Sequence, residues 1–262
     1  SSQTCDFTAH DRCGARAFPQ KAVLVATDSN LYIFDAKDNT MWMRFDTGSE
    51  YIAGGASNID NVFVLNGRIY FGVAVGGNGL HYADFVEDFG GYYDTSFFRV
   101  KGNVSQRNTT ISDTQQLVWG VIVNNVVNDV HAAVIDGKTY IVVATDSGVS
   151  VINETDETVV DITNSSTNND AHIVVLTQEG TLYVGTERSG GVTSDYDLIV
   201  HYNIDKRGGD FDITTYDVEY FTASSANSTP SIWQPLDADI EDIAVVEGSS
   251  FVDGTSNTVY IG

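Results

Sequence analysis

Two Asp-x-His pairs stand at corresponding places in this sequence, each at the start of a short apolar segment. They are Asp129-Val130-His131 and Asp170-Ala171-His172, and Asp60 and Asp242 hold related places in two other segments. Imidazole and carboxylate groups together can ligate a divalent metal or bind a polar ligand. The alternative is structural, with each Asp capping a turn through backbone N–H groups and each His packing between sheets.

Acidic residues recur in the loops of the second half of the sequence. Their carboxylates offer the hard oxygen ligands that calcium takes. The calcium candidates are Asp195, Asp197, Asp210, Asp212 and Asp239. None of these runs has the Asp-x-Asp-x-Asp-Gly spacing of a calcium loop, and a solvated acidic loop is the alternative. Calcium is the cofactor that these residues predict, and no organic cofactor is expected.

The elements that must position these residues are strands, because one segment of the sequence is echoed downstream. Val23 to Gly48 is followed by similar segments, each preceded by a short apolar segment that ends in a turn. The echoes are Arg68 to Val75, Thr139 to Ile152, Thr181 to Glu187 and Thr258 to Gly262. Apolar β-branched segments separated by Asn, Asp, Ser and Gly predict hairpins, and recurrence at intervals of about 40 or more residues is typical of propeller blades.

The repeats therefore predict an all-β fold, a β-propeller of about five or more four-stranded blades. In that fold the two Asp-x-His pairs face the axial channel. The first repeat begins at its second strand, Ala22 to Ala26, and the last stops after the same strand. If Ile243 to Glu247 closed the ring, Val259 to Ile261 would be left over. We therefore expect an incomplete ring in this chain, which a longer chain or a neighbouring chain completes.

The repeats also predict the domain organisation. Residues 1–20 form an irregular arm that contains both cysteines, Cys5 and Cys13, and residues 21–262 form the propeller. A local disulfide between the cysteines indicates an oxidising compartment, and two free thiols in a cytosolic chain are the alternative. Long insertions are predicted at about 80–125 and 189–239, and insertions of more than about 15 residues are usually functional or disordered.

Aromatic residues are dense in the first insertion. They are Tyr82, Phe85, Phe89, Tyr92, Tyr93, Phe97 and Phe98. Exposed rings beside Gly and Asp make an adaptable recognition surface, and this makes Tyr92 and Tyr93 candidate ligand contacts. The alternative is that the rings pack between the outer strands of a large blade.

Composition limits the partners. The chain carries 36 acidic and 13 basic residues, a net charge of −23. This balance disfavours nucleic acid and anionic membranes, which need clustered Lys and Arg. No apolar run approaches the roughly 20 residues of a membrane span. We therefore expect no membrane insertion.

The segment Leu31 to Gly48 resembles a quinoprotein-type (PQQ-like) propeller repeat. The matching residues are Tyr32, Asp35, Ala36, Trp42 and Gly48, with Asp38-Asn39 where that family has Thr-Gly. The resemblance implies a propeller in which Trp42 docks one blade onto the next. The acidic, Asn- and Thr-rich repeats are also similar to propeller modules in marine microbial surface proteins and phage virion proteins, which implies an extracellular or virion-surface location, such as a tail fibre.

Enzyme readings lack the residues that they need. The quinoprotein family has many Trp-bearing repeats, whereas this chain has three Trp in dissimilar contexts. The Gly-x-Ser-x-Gly elbow, the His-Glu-x-x-His motif and the P-loop are absent from the sequence. We therefore expect a non-enzymatic binding or structural module that contacts a receptor, a glycan or a neighbouring subunit of a larger assembly. The alternative is a quinoprotein-like or hydrolytic enzyme with its site on the propeller axis.

Overall fold

The computed structural model describes residues 18–48, 51–54, 57–75, 78–163, 170–188, 195–213, 215–221, 243–246 and 258–261. Cys5, Cys13 and Asp239 lie outside these ranges. Within them the ordered elements are β-strands and two short 3-10 turns, so the predicted all-β class is confirmed. None of these residues belongs to a helix long and apolar enough to cross a membrane.

The first of two compact units ends at Val127 and holds two antiparallel sheets. Sheet 1 contains β1 (Ala22–Ala26), β2 (Asn30–Asp35) and β3 (Thr40–Asp46). Sheet 2 contains β4 (Ser57–Leu65), β5 (Arg68–Val75), β6 (Leu80–Asp84), β7 (Phe89–Tyr93), β8 (Phe98–Gly102) and β9 (Gln115–Leu117). Both sheets follow chain order, so each strand pairs with the strand before it. A 3-10 turn, Val104–Gln106, follows β8.

The second unit begins at Asn128 and holds three sheets among its described residues. Sheet 3 contains β10 (Val127–Ile135), β11 (Lys138–Thr145), β12 (Gly148–Asn153), β13 (Thr158–Thr163) and β17 (Phe211–Asp212). Sheet 4 contains β14 (Asp170–Leu176), β15 (Leu182–Arg188), β16 (Asp195–His201) and β18 (Val218–Phe221). Sheet 5 contains β19 (Ile243–Val246) and β20 (Thr258–Ile261). A 3-10 turn, Ile204–Lys206, follows β16.

A two-residue turn joins the first two strands of sheet 2, and another joins the first two strands of sheet 3. Asn66 and Gly67 have φ of 51° and 80°, and Asp136 and Gly137 have φ of 49° and 79°. Positive φ at both central residues is the geometry that matches the twist of the flanking strands, and Asn-Gly and Asp-Gly adopt it at low cost. The local sequence therefore sets the register of these hairpins.

A second turn recurs three times, between β2 and β3, β6 and β7, and β12 and β13. At its start the side chain of Asp35, Asp84 or Asn153 accepts the backbone N–H two residues later, at 2.8–3.1 Å. At its end one residue takes the left-handed conformation, with φ of 56–58°. These residues are Asn39, Asp88 and Glu157. Asn and Asp tolerate this conformation better than Glu does.

Glycine at Glu157 is therefore expected to stabilise the chain by about 1 kcal/mol, because it removes the Cβ clash of a left-handed residue. Glu157→Ala keeps the Cβ and is the matched control, expected to give no such gain. Urea unfolding of the three proteins, followed by circular dichroism, measures the effect. Equal free energies of unfolding for the Gly and Ala variants would contradict the strain at this turn.

Apolar side chains of neighbouring sheets form the cores. In the first unit Leu31 and Phe45 of sheet 1 pack in one cluster with Ile69 and Phe71 of sheet 2. In the second unit residues of sheets 3 and 4 share a cluster, which includes Val142, Val149, Val151, Val174, Val184 and Ile199. The sheets thus bury their faces against each other in sequence order within each unit.

The connection between β16 and β18 returns to sheet 3 and covers its outer edge. Here β17 pairs in parallel with β13, with Phe211 opposite Ile162 and Asp212 opposite Thr163. The Ile213 N–H also donates to the Thr163 carbonyl at 3.0 Å. We call residues 210–213 the edge strap, because they occupy backbone groups of β13 that would otherwise be free to pair with another strand.

Candidate functional site

The first Asp-x-His pair lies on β10 and points at the backbone of β14. The Val174 N–H donates to Asp129 Oδ2 at 2.9 Å, and the Leu176 N–H donates to His131 Nδ1 at 3.3 Å. Asp129 Oδ1 accepts the adjacent Val130 N–H at 2.8 Å. Because Nδ1 accepts here, the neutral ring carries its proton on Nε2. Both side chains therefore tie the first strand of sheet 3 to the first strand of sheet 4.

The residue before this pair extends the same link. Asn128 Nδ2 donates to the Ala171 carbonyl at 2.9 Å and to Asp146 Oδ1 at 3.0 Å. Asp146 stands in the turn between β11 and β12, and Ala171 stands between Asp170 and His172. The Asn128 side chain thus links the β11–β12 turn to the start of β14. This region is the candidate site, and we call it the β14 entrance.

The second Asp-x-His pair lies at an irregularity in β14. The pairing of β14 with β15 shifts register between Ala171 and Ile173, so His172 is the bulged residue. Its side chain is exposed, and Asp170 is half-buried. Bulges are common beside binding sites because they re-aim a side chain. The structure places His172 and Asp170 at the β14 entrance, with His131 further along β10 against Leu176.

The first unit contains a counterpart of this entrance. The pairing of β4 with β5 shifts between Ile59 and Asn61, which makes Asp60 the bulged residue. Its side chain is exposed, and its pKa is raised by partial burial and by the negative charge of Asp28. Asp28 stands in the β1–β2 turn as Asp146 stands in the β11–β12 turn. Each entrance therefore combines an acidic turn with a bulged polar residue.

Replacing Asp129 by alanine is expected to lower the free energy of unfolding by about 1–3 kcal/mol, because the Val174 N–H loses its acceptor. His172→Ala is the control, since this exposed side chain is expected to change stability by less than about 0.5 kcal/mol. Urea unfolding measures both. Equal effects of the two substitutions would show that Asp129 does not anchor β14.

The two tyrosine candidates have different surroundings. Tyr93 is fully buried and stacks on Phe98 with a centroid distance of 4.4 Å. Tyr92 is half-buried, and its ring centroid lies 5.1 Å from that of His81 and 5.6 Å from Cζ of Arg99. The rings of Tyr82 and Trp119 also contact the Tyr93 ring, so these aromatic side chains form one packed cluster against sheet 2.

The acidic candidates lie on separate elements. Asp210 Oδ1 accepts the Asp161 N–H at 3.0 Å, and Asp212 is an exposed residue of β17. Asp195 and Asp197 belong to β16, and Asp239 lies outside the described residues. Burial and the nearby charge of Asp210 raise the pKa of Asp161. Across the described ranges no group of three or more His, Cys, Asp or Glu side chains is arranged to hold a metal ion.

A charged cluster in sheet 2 was missed by the sequence reasoning. Arg99 donates to Asp94 Oδ2 at 2.5 Å and to Asp113 Oδ2 at 2.7 Å, and the buried Lys101 Nζ lies 3.6 Å from Asp113 Oδ1. Burial raises the pKa of Asp113, but hydrogen bonds from Arg99 and Gln116, together with the positive charges of Lys101 and Arg99, outweigh burial and lower the pKa. Alternating cations in β8 were the available signal for this cluster.

Two buried histidines were also missed, because no sequence motif marks them. His81 Nδ1 lies 2.7 Å from the Ile52 carbonyl, and its ring stacks on Phe71. His201 is fully buried, with its ring centroid 5.3 Å from that of Phe211 in the edge strap. The His81 ring is buried in the first unit, and the His201 ring is buried in the second.

No protein-family model matches this sequence, and no curated protein matches it.

Proposed function

We propose that this chain is a non-enzymatic binding or assembly module, with its sheets arranged as propeller blades and displayed on a virion, a filament or a cell surface. Its partners are protein subunits of a larger assembly, a surface receptor or a glycan. One observation carries the proposal: Asp129 and His131 accept backbone N–H groups of β14. A catalytic pair needs its acceptor lone pairs directed at a substrate.

Contacts between strands support the propeller arrangement within each unit. In the first unit β1 of sheet 1 contacts β4 of sheet 2. In the second unit β14 of sheet 4 contacts both β11 of sheet 3 and β19 of sheet 5. The first strand of a sheet therefore lies against the preceding sheet. Blades that follow one another about an axis make the same contact.

The position of Trp42 also supports blade packing. Its ring centroid lies 5.6 Å from that of Phe85 in the β6–β7 turn, and 5.2 Å from that of Phe18. Trp42 is nearly fully buried and belongs to the core shared by sheets 1 and 2. A tryptophan between consecutive sheets is the docking role that the quinoprotein-type repeat implies for this residue.

Charge supports the choice of partner. With a net charge of −23, the surface repels polyanions and attracts cations. Neutral glycans and basic protein surfaces suit this field, whereas nucleic acid does not. Calcium, if it binds, acts in this proposal as a structural ion for the acidic loops.

The test separates a binding module from an enzyme. The purified, unreduced chain is examined by native mass spectrometry and on an array of neutral glycans. It is also assayed for dye-linked dehydrogenase activity with quinone and calcium, and for glycoside hydrolysis. We expect a defined oligomer or a glycan ligand, and no turnover. Turnover that His172→Gln abolishes while the melting temperature stays unchanged would overturn the proposal, as would the absence of any oligomer and any ligand.

A further inference from the structure

Strand β1 has one paired edge and one open edge. Thr27 N–H donates to the Asn30 carbonyl, and the Lys21 carbonyl accepts the Ala36 N–H. Backbone groups alternate in direction along an antiparallel strand, so residues with odd numbers face β2. Ala22, Leu24 and Ala26 therefore direct their N–H and C=O groups away from β2. Among the described residues no strand pairs with that edge.

The sequence around β1 indicates which kind of strand fits this edge. Ala26-Thr27-Asp28-Ser29 at its end repeats Ala144-Thr145-Asp146-Ser147 at the end of β11. In sheet 3 the other edge of β11 is occupied by β10. The open edge of β1 is thus the place where sheet 3 carries β10, whose sequence Val-Asn-Asp-Val-His-Ala-Ala-Val-Ile combines β-branched and small residues with Asn, Asp and His.

In the described part of the chain, the open edge lacks the features that keep strand edges from pairing. Proteins protect such edges with Lys, Pro, bulges or covering segments. Strand β1 contains none of these residues, and its pairing with β2 is regular. Val23 and Val25 leave 48% and 39% of their surface exposed. By contrast, the outer edge of sheet 3 is covered by the edge strap.

We propose that the open edge of β1 binds an extended strand of another polypeptide chain, one that combines β-branched and small apolar residues with polar residues as β10 does. The two-residue turn between β10 and β11 makes these strands antiparallel, so the bound strand is also antiparallel to β1. Its backbone pairs with Ala22, Leu24 and Ala26, and its side chains cover Val23 and Val25. Strand addition of this kind draws affinity from main-chain hydrogen bonds and specificity from alternate side chains. This inference rests on the proposed function, because it names the partner of a binding module.

A fluorescent peptide that copies residues 127–137 tests the proposal by anisotropy against the full chain. We expect saturable binding, and no binding of the same peptide with proline in place of Ala133. Ala26→Pro in the chain removes one outward N–H and leaves the bonds to β2 intact, so binding should weaken by about tenfold or more. Ala26→Ser keeps the N–H and should bind like the natural chain.

Val25→Lys is the second variant, because a charge at the edge blocks strand addition without changing the backbone. It should weaken binding by a similar factor, while Val25→Thr should not. A chain that binds no peptide, or variants that bind it equally well, would overturn the proposal. Protection of the Leu24 amide from hydrogen exchange in the free chain would overturn it too, because another segment of the chain would then occupy the edge.

A dimer that forms through β1 without peptide and is lost in Val25→Lys would also overturn it, in favour of a second copy as the occupant. These failures leave the proposed function standing, because glycan binding or an oligomer can persist without strand addition. Turnover lost in His172→Gln, in contrast, removes the proposed function itself.

Discussion

Alanine at Gly91 is expected to destabilise the first unit by about 3 kcal/mol or more, since overpacking against backbone cannot be relieved by a side-chain movement. Gly91 lies in β7, where its pairing with β8 is irregular between Gly90 and Gly91. A Cβ at this position would lie 1.9 Å from the carbonyl oxygen of Arg99 and 2.9 Å from its carbonyl carbon. Relief requires β7 and β8 to separate, which disturbs the aromatic cluster packed against sheet 2.

Gly208→Ala is the matched control, because a Cβ there meets no atom within 4 Å. Its free energy of unfolding should stay within about 0.5 kcal/mol of the natural value. Urea unfolding monitored by tryptophan fluorescence and circular dichroism compares the two variants. A Gly91→Ala protein as stable as Gly208→Ala would show that β7 and β8 do not approach as closely as described.

Acid is expected to destabilise the chain strongly between about pH 6.5 and pH 4. Burial lowers the pKa of His81, His131 and His201 from 6.5 to about 4. The unfolded chain therefore binds more protons than the folded chain in this window, and stability falls as pH falls. Each fully buried ring, His81 and His201, contributes about 3 kcal/mol to the loss once the pH reaches its lowered pKa.

Carboxylates oppose part of this loss. Burial raises the pKa of Asp60 and Asp161, so their protonation favours the folded chain just above pH 3.8. The positive charge of Lys101 lowers the pKa of His81 further, and that of Arg207 lowers the pKa of His201. The negative charge of Asp217 raises the pKa of His201.

Urea unfolding at a series of pH values measures the acid effect. His201→Gln removes one titrating ring and should flatten the pH dependence, whatever its effect on stability at neutral pH. Identical slopes for the natural chain and His201→Gln would contradict the assignment of the acid loss to buried rings.

The strands and their turns could be predicted because they depend on neighbours in the sequence. Asp136-Gly137 and Asn66-Gly67 specify tight turns through their tolerance of positive φ. The apolar segments on either side fix the hairpins. The same short-range pattern placed the two Asp-x-His pairs at the start of a strand.

Long-range partners could not be predicted. Nothing near Asp129 in the sequence indicates that its carboxylate accepts the N–H of Val174, because that contact depends on how sheets 3 and 4 pack. The pairing of Arg99 with Asp113 is of the same kind, since it depends on the addition of β9 to sheet 2. Residues about 80–125 were predicted as an insertion, and the structure places β6, β7, β8 and β9 there.

The edge strap also determines when sheet 3 can be completed during translation. Sheet 3 leaves the ribosome with the outer edge of β13 uncovered, and Phe211 and Asp212 emerge only after β16. At about 5–20 residues per second, translation leaves that edge open for seconds. The nascent chain therefore completes sheet 3 during the synthesis of sheet 4, and the exposure of β13 to other nascent chains ends at that moment.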